Sequence, residues 1–329
     1  MIRVAINGMG RIGRLLFRRL VAHPDIEIVG VNDLMNGANL AYLLKYDSVY
    51  GPAPFTIEWT TEIVANGAHI PYTQLADPRA LPWAALGVDI VLECTGAFTS
   101  PDKAGFHLQA GAKRVLLSTT GTAGIPLLIY GYNHHLLTAD TPVVSPGGCM
   151  TNCATTVLSV LGGIGIDSVQ VHVIHSYSSR QELVDGPHAE FRRGRAAAES
   201  IIPVPVDLAL SLERLFPHLS NRIATVTTRV PVANGALADF SFVMKDEVSV
   251  DEINARLRQA AATTHRGILS YTEDAIVSLD IKGDPHAAIV DGSLTSVVGK
   301  QVKVFSFFDN EYGYTTRMID WILYWKQFL

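Results

Sequence analysis

The chain is short of cysteine, short of charge and without any long apolar run. Among 329 residues there are 3 cysteines, and charged residues make up 17%. An odd set of thiols at Cys94, Cys149 and Cys153 makes no disulfide framework, and the first residues form a charged, strand-like segment instead of a secretory leader. A reducing, cytoplasmic setting is therefore expected. No stretch reaches the roughly 18 apolar residues that span a bilayer, and neither an internal repeat nor a low-complexity tract is present. The formal net charge of −5 argues against nucleic acid or an anionic membrane as the main partner, while leaving room for a local basic patch that holds a phosphate. The hydrophobic content of 48% supplies core material for two domains of ordinary size.

The N-terminal half has a clear order. Val4, Ala5 and Ile6 mark a strand, Gly8-Met-Gly10-Arg-Ile-Gly13 opens a helix bearing Leu15, Leu16, Phe17 and Leu20, and a second strand over 26–32 ends on Asp33. Strand, glycine turn, helix and strand within about 30 residues, closed by an acidic residue, is a dinucleotide-binding βαβ unit. Glycines at Gly8, Gly10 and Gly13 permit a tight turn and close backbone approach to a pyrophosphate seated on the helix N-terminus. Asp33 is placed to accept hydrogen bonds from the adenosine ribose, and its carboxylate would repel a 2′-phosphate, so NAD is expected over NADP. Apolar strands at 90–92 and 115–117, with a helix over 102–110 between them, extend a parallel sheet.

After Cys149 the texture changes to longer alternating strands at 169–174, 223–230, 237–243 and 302–308. Alternation predicts a mostly antiparallel sheet with one solvated or subunit-facing side. Residues 176–200 are polar, arginine-bearing and too long for a simple connection, which marks them as functional or interfacial. Residues 316–329, with Met318, Ile319, Trp321, Ile322 and Trp325, read as an amphipathic helix that docks on the first domain. The expected fold is α/β: an NAD-binding Rossmann domain over 1–148, completed by a C-terminal helix over 313–329, and an α+β catalytic domain over 149–312.

Ser145-Pro-Gly-Gly-Cys149-Met-Thr-Asn-Cys153 begins a helical pattern carried by Val157, Leu158, Val160 and Leu161, so Cys149 falls at a helix N-terminus, where the dipole and N–H groups favour a thiolate. Two thiols four apart, without a second Cys or His pair, fall short of a zinc set, and a disulfide within one helical turn is awkward; no metal is expected. The common fate of cysteine, burial in a core, suits Cys153 and Cys94. For Cys149, the preceding Gly147-Gly148 is unexpected at a buried helix start, and His175, at the end of the next strand, can serve as its base. Alternation puts His172 on the opposite face of that strand.

Taken together, Val4-Ala-Ile-Asn-Gly-Met-Gly-Arg-Ile-Gly-Arg14, Asn32-Asp33, Leu43-Leu-Lys-Tyr-Asp-Ser48, Glu93-Cys-Thr-Gly-Ala-Phe-Thr99, Cys149-Met-Thr-Asn-Cys153, Arg195-Ala-Ala-Ala-Glu-Ser-Ile-Ile-Pro203, Arg229-Val-Pro231 and Asp309-Asn-Glu-Tyr-Gly-Tyr314 resemble the glyceraldehyde-3-phosphate dehydrogenase family, which includes an erythrose-4-phosphate branch. The segment Pro285-His-Ala-Ala-Ile-Val-Asp-Gly292 is more similar to the erythrose branch, and Asn32-Asp33-Leu34 and Tyr46-Asp47-Ser48 to the glyceraldehyde branch. The resemblance implies a phosphorylated aldehyde as substrate, Cys149 as nucleophile, His175 as base, and a homotetramer with residues 176–200 bridging subunits. It also implies that Gly8, Gly10, Arg11, Ile12, Gly13, Asp33, Thr95, Gly96, Ser118, Asn310 and Tyr314 line the cofactor site, with Asn310 on the nicotinamide carboxamide and Ile12 and Tyr314 packing the ring.

Two anion sites are implied beside the cysteine. For the substrate phosphate, Arg229 is kept, Ser178 stands where Thr is usual and Arg180 where Asp is usual, an added guanidinium that strengthens anion binding. For inorganic phosphate, Arg195 is kept, but Gly148 replaces a Ser, Met150 a Thr, and Val206-Asp207 a Thr-Gly pair. Hydrogen bonds to a charged group are worth about 1.5–3 kcal/mol each. Their loss points to an erythrose-4-phosphate-dehydrogenase-like enzyme that releases its acyl group to water. The alternative is phosphorylating glyceraldehyde-3-phosphate oxidation. A non-catalytic NAD-binding paralogue is a third reading, opposed by the retention of Cys149, His175, Asn310 and Arg229 together.

Overall fold

A computed structural model describes residues 1–329. The chain divides into two compact units, Met1–Gly148 with Thr315–Leu329, and Cys149–Tyr314. Residues 313 and 314 thus group with the second unit, two positions beyond the expected boundary.

The first unit is built on six parallel strands: β1 (Ile2–Asn7), β2 (Ile26–Asn32), β6 (Tyr72–Thr73), β7 (Ile90–Glu93), β8 (Arg114–Leu117) and β9 (Val143–Val144), in the order β6-β2-β1-β7-β8-β9. Val4, Ala5 and Ile6 of β1 are fully buried, as a central strand covered on both faces requires. The strand order reverses between β1 and β7, the switch point at whose carboxyl edge ligands bind in such sheets. Helix α1 (Arg11–Leu20) follows β1 directly and buries Leu15, Leu16, Phe17 and Leu20. Helices α2 (Gly37–Lys45) and α3 (Pro101–Gln109) are each capped at the N-terminus by a side chain, Asn36 and Ser100. A small antiparallel meander, β3 (Ile57–Trp59), β4 (Ile63–Ala65) and β5 (Ala68–Ile70), was not legible from pattern because each strand is only three residues long.

The second unit opens on α4 (Cys149–Leu161), whose residues are buried on most sides. Seven strands follow: β10 (Ile166–Ser176), β11 (Ile202–Val204), β12 (Ile223–Val230), β13 (Ala236–Met244), β14 (Leu269–Thr272), β15 (Ala288–Val298) and β16 (Gln301–Phe308). Their order is β11-β12-β10-β13-β16-β15-β14, antiparallel except for the pairs β10–β12 and β14–β15. Helices α4, α5 (Leu208–Leu215) and α6 (Val250–Ala262) pack on one face. Gln170, Val226 and Val243 are left exposed on the other. Strand β15 escaped the sequence reading because its register with β16 breaks between Asp291 and Ser296, which destroys the alternation.

The final helix runs over Tyr312–Trp325, four residues ahead of the expected start. Asp309 sets that start, since its Oδ1 accepts the backbone N–H of Glu311 and Tyr312. No helix is long and apolar enough to cross a membrane.

Candidate active site

The glycine turn after β1 is shaped by close backbone contacts. Gly8 has φ +95°, and a Cβ there would lie 2.6 Å from the Thr95 nitrogen; a Cβ on Gly13 would lie 2.0 Å from the Gly8 carbonyl oxygen. Only glycine fits either position. Gly10 stands at the N-cap of α1 without a side-chain cap, and the first helical turn carries no acidic residue. That is the arrangement an anionic pyrophosphate needs. The residues present therefore fit a dinucleotide.

Other expected cofactor residues have narrower roles. The Asp33 carboxylate takes the Met9 N–H on Oδ2 (2.6 Å) and the Met35 N–H on Oδ1 (2.9 Å), so it is oriented by the turn it faces. The Arg11 guanidinium is bidentate to Asp47, at 2.5 and 3.2 Å. This holds α1 to the segment after α2. The Thr95 hydroxyl donates to Glu93 and accepts from the Ala97 N–H at 3.0 Å. Ser118 begins the segment after β8, its N–H bonded to the Glu93 carbonyl, while Ile12 in α1 is half-buried. Gly96, at φ +71°, completes the turn after β7.

In the second unit, the Cys149 Sγ lies 3.7 Å from the His175 Nε2. Strand β10 delivers His175 inward at its last turn but one, whereas His172 turns to the opposite face and bonds Thr228 at 2.8 Å. The His175 Nδ1 lies 2.8 Å from the Ser176 carbonyl oxygen, which only accepts. Nδ1 thus stands between that acceptor and the Arg229 guanidinium, which only donates, and Nε2 is the nitrogen that faces the thiol. Arg229, in register with His175 on β12, donates to the same carbonyl at 3.0 Å and also contacts Nδ1.

Two opposing influences act on the thiolate expected of a helix N-terminus. Burial pushes the Cys149 thiol up to about 11, against the pull of Arg229 and of the Met150 and Cys149 N–H groups. Burial, and then Arg229, pull His175 down to about 3. Desolvation thus favours the neutral form of both groups, against the helix N-terminus and Arg229 that favour the thiolate. Cys153 is fully buried, with its thiol directed to Ser306 and pushed up to about 12 by burial, and Cys94 is likewise raised by burial. No group of three His, Cys, Asp or Glu side chains is arranged to hold a metal.

Asn310 completes this cluster. Its Oδ1 accepts the Gly235 N–H at 2.8 Å and the Ser176 hydroxyl at 3.3 Å, which fixes the amide with its NH2 as the outward donor. Tyr314 lines the same small enclosure as Cys149, Asn152 and Phe308. Sequence reasoning missed Ser176, which touches both His175 and Asn310; as a buried hydroxyl beside a histidine it carries no pattern of its own.

The candidate anion ligands separate. Arg229 is 8% exposed and feels Arg193 and Arg180 as neighbouring cations, while burial draws it down to about 10. Its Nε is buried without a partner. Ser178 is half-buried two residues before Arg180, and its hydroxyl accepts the Arg180 N–H at 3.4 Å. Arg195 does not join them: its guanidinium is exposed and paired with Asp185 at 3.0 Å, and Asp185 also takes the Ala196 N–H. Met150 turns its sulfur to the Thr227 hydroxyl at 3.6 Å, and a Cβ on Gly148 would meet nothing within 4 Å.

Comparison with known proteins accords with this geometry. Residues 2–101 match the model of the glyceraldehyde 3-phosphate dehydrogenase NAD binding domain, and residues 148–310 that of the C-terminal domain. The chain is 42% identical over 328 residues to the glyceraldehyde-3-phosphate dehydrogenase of Zymomonas mobilis and 40% identical over 328 residues to that of Mycobacterium avium, with 97% of each chain covered. It is 37% identical over 325 residues to glyceraldehyde-3-phosphate dehydrogenase 2 of Bacillus subtilis, covering 98% of this chain and 96% of the relative. The protein is therefore an NAD-dependent oxidoreductase that belongs to the glyceraldehyde-3-phosphate dehydrogenase family.

Proposed function

We propose that this enzyme oxidises glyceraldehyde 3-phosphate through a thioester on Cys149. The observation that carries the reading is the Cys149 Sγ at 3.7 Å from the His175 Nε2, with the buried Arg229 alongside. The triose is preferred over the tetrose suggested by residues 285–292 because the relatives cited above, at 37–42% identity, are named for glyceraldehyde 3-phosphate. Bound NAD supplies the hydride acceptor.

The chain's own residues account for the remaining steps. As Sγ bonds the aldehyde carbon, the thiol proton passes through His175 Nε2 to the carbonyl oxygen, giving a hemithioacetal. When the hydride leaves that carbon, Nε2 takes the hydroxyl proton and the acyl group remains as a thioester. Arg229, with Arg180 and Ser178, holds the substrate phosphate by charge-assisted hydrogen bonds, and its unpartnered Nε supports that role. Asn310 presents its NH2 to the carboxamide of the cofactor.

A second reading concerns only the acyl acceptor. A thioether stands at Met150 and position 148 is a glycine with no side chain, so the groups expected to hold inorganic phosphate are weak here. This favours release to water. All three cysteines are free thiols, in keeping with a cytosolic enzyme, and the exposed face of the seven-stranded sheet supports assembly into the expected homotetramer.

NADH formation with glyceraldehyde 3-phosphate and erythrose 4-phosphate, each with NAD or NADP and with or without phosphate or arsenate, tests the whole scheme. Faster turnover of the tetrose overturns the substrate assignment, and turnover that requires phosphate overturns hydrolytic release. A Cys149 inert to iodoacetamide would favour a non-catalytic binding protein.

A further inference from the structure

Three polar side chains lie in register across the middle of the parallel sheet: Asn32 on β2, Asn7 on β1 and Glu93 on β7. They are 4%, 2% and 1% exposed. Asn32 Nδ2 donates to Asn7 Oδ1 (2.7 Å), and Asn7 Nδ2 donates to Glu93 Oε2 (2.6 Å). Asn32 Oδ1 accepts the Thr73 hydroxyl (2.9 Å) and the Leu75 N–H (3.0 Å), which closes that end. At the other end, His107 Nε2 meets Glu93 Oε2 at 2.8 Å, and Trp83 Nε1 lies 3.1 Å from His107 Nδ1. An indole N–H only donates, so Nδ1 accepts and the imidazole proton is on Nε2, directed at Glu93.

Glu93 therefore faces donors alone: His107 Nε2–H and Asn7 Nδ2 on one oxygen, the Thr95 N–H (2.8 Å) and the Thr95 hydroxyl on the other. That is the environment of a carboxylate anion paired with neutral donors, and every link in the row has one direction. Each member also sits just before a candidate cofactor element. Asn7 precedes Gly8, Asn32 precedes Asp33, and Glu93 precedes the 94–96 turn whose Thr95 nitrogen backs directly on Gly8.

We propose that Glu93 is a positioning residue for NAD, acting through Thr95 and the Asn7–Asn32 row to set the spacing of the three strand ends that receive the dinucleotide. The inference does not depend on the substrate or acyl acceptor proposed above, because it is read in NAD binding without aldehyde. Glu93→Gln presents an NH2 to donors, and a flip of Asn7 only moves the conflict to Asn32.

The test is calorimetric titration of NAD into the full-length protein and its variants, beside their thermal midpoints without cofactor. Glu93→Gln should raise the Kd for NAD at least tenfold and Thr95→Val several-fold. Thr95→Ser should stay near wild type, and the double variant E93Q/T95V should be no weaker than E93Q alone. A Glu93→Gln protein with a lowered midpoint but a Kd within twofold of wild type would mean that the row only stabilises the sheet. Should E93Q fail to fold, equal affinities for Thr95→Val and Thr95→Ser would overturn the proposal by themselves.

Discussion

The molecule holds two buried histidines, His107 in the first unit and His175 in the second, and they differ in what each leaves unsatisfied. Both nitrogens of His107 are committed to partners, Trp83 and Glu93. His175 has Nδ1 held between Ser176 and Arg229, and its Nε2 faces a thiol at 3.7 Å. Burial alone does not mark a catalytic histidine; an unsaturated nitrogen beside a reactive atom does.

The largest effect expected from this contrast is in turnover. His175→Asn removes the base and should lower kcat/KM by about 10³–10⁴-fold, near the upper range for general base catalysis. Trp83→Phe unlocks the other histidine and leaves a buried acceptor unpaired. It should lower stability by about 2–4 kcal/mol in denaturant titration, with kcat at saturating NAD changed less than twofold. If the two variants lost turnover equally, the contrast would fail.

A second effect lies in the pH dependence of stability. The folded His175 is drawn down to about 3 from 6.5. Between those values the unfolded chain binds a proton that the folded chain refuses, so the stability contribution is full above pH 6.5 and is lost as pH falls toward 3. The slope from this group is at most about 1.4 kcal/mol per pH unit. Cys149, raised from 9.0 to about 11, acts on the other limb: stability falls as pH rises from 9 to 11. His175→Asn should flatten the acid limb and Cys149→Ser the alkaline one in urea titrations at fixed pH values. Unchanged limbs would mean that the two groups are far less desolvated than their environment indicates.

The sequence was informative where chemistry depends on local spacing. The Gly8–Gly13 turn, Asp33 at the end of β2, and Cys149 at the start of α4 are set by residues within a few positions of each other, so pattern sufficed to find them. It failed where the decisive partner is remote. Nothing near Glu93 announces that it answers to Trp83 through His107. The balance at Cys149 has the same character: a helix N-terminus is visible in sequence, whereas the desolvation that opposes it comes from packing.

Two arginines expected to bind phosphate extend the comparison and give the smallest expected effect. Arg229 is buried and held at the Ser176 carbonyl, while Arg195 is exposed and its pair with Asp185 has side chains 67% and 61% exposed. A pair that open is worth at most about 1 kcal/mol, so Asp185 does little to keep Arg195 from a phosphate. The missing hydroxyls at 148 and 150 matter more. A Cβ at Gly148 meets nothing within 4 Å and its φ is not positive, so Gly148→Ser is accommodated without strain. Adding Met150→Thr restores a second hydroxyl, and the pair should raise phosphate stimulation of NADH formation about tenfold or more, given about 1.5–3 kcal/mol for each hydrogen bond to a charged group. Asp185→Asn alone should raise it less than fivefold. If Asp185→Asn proved the larger, the ion pair would control acyl release, and the weakness of the site would lie in Arg195 instead of in the side chains that flank Cys149.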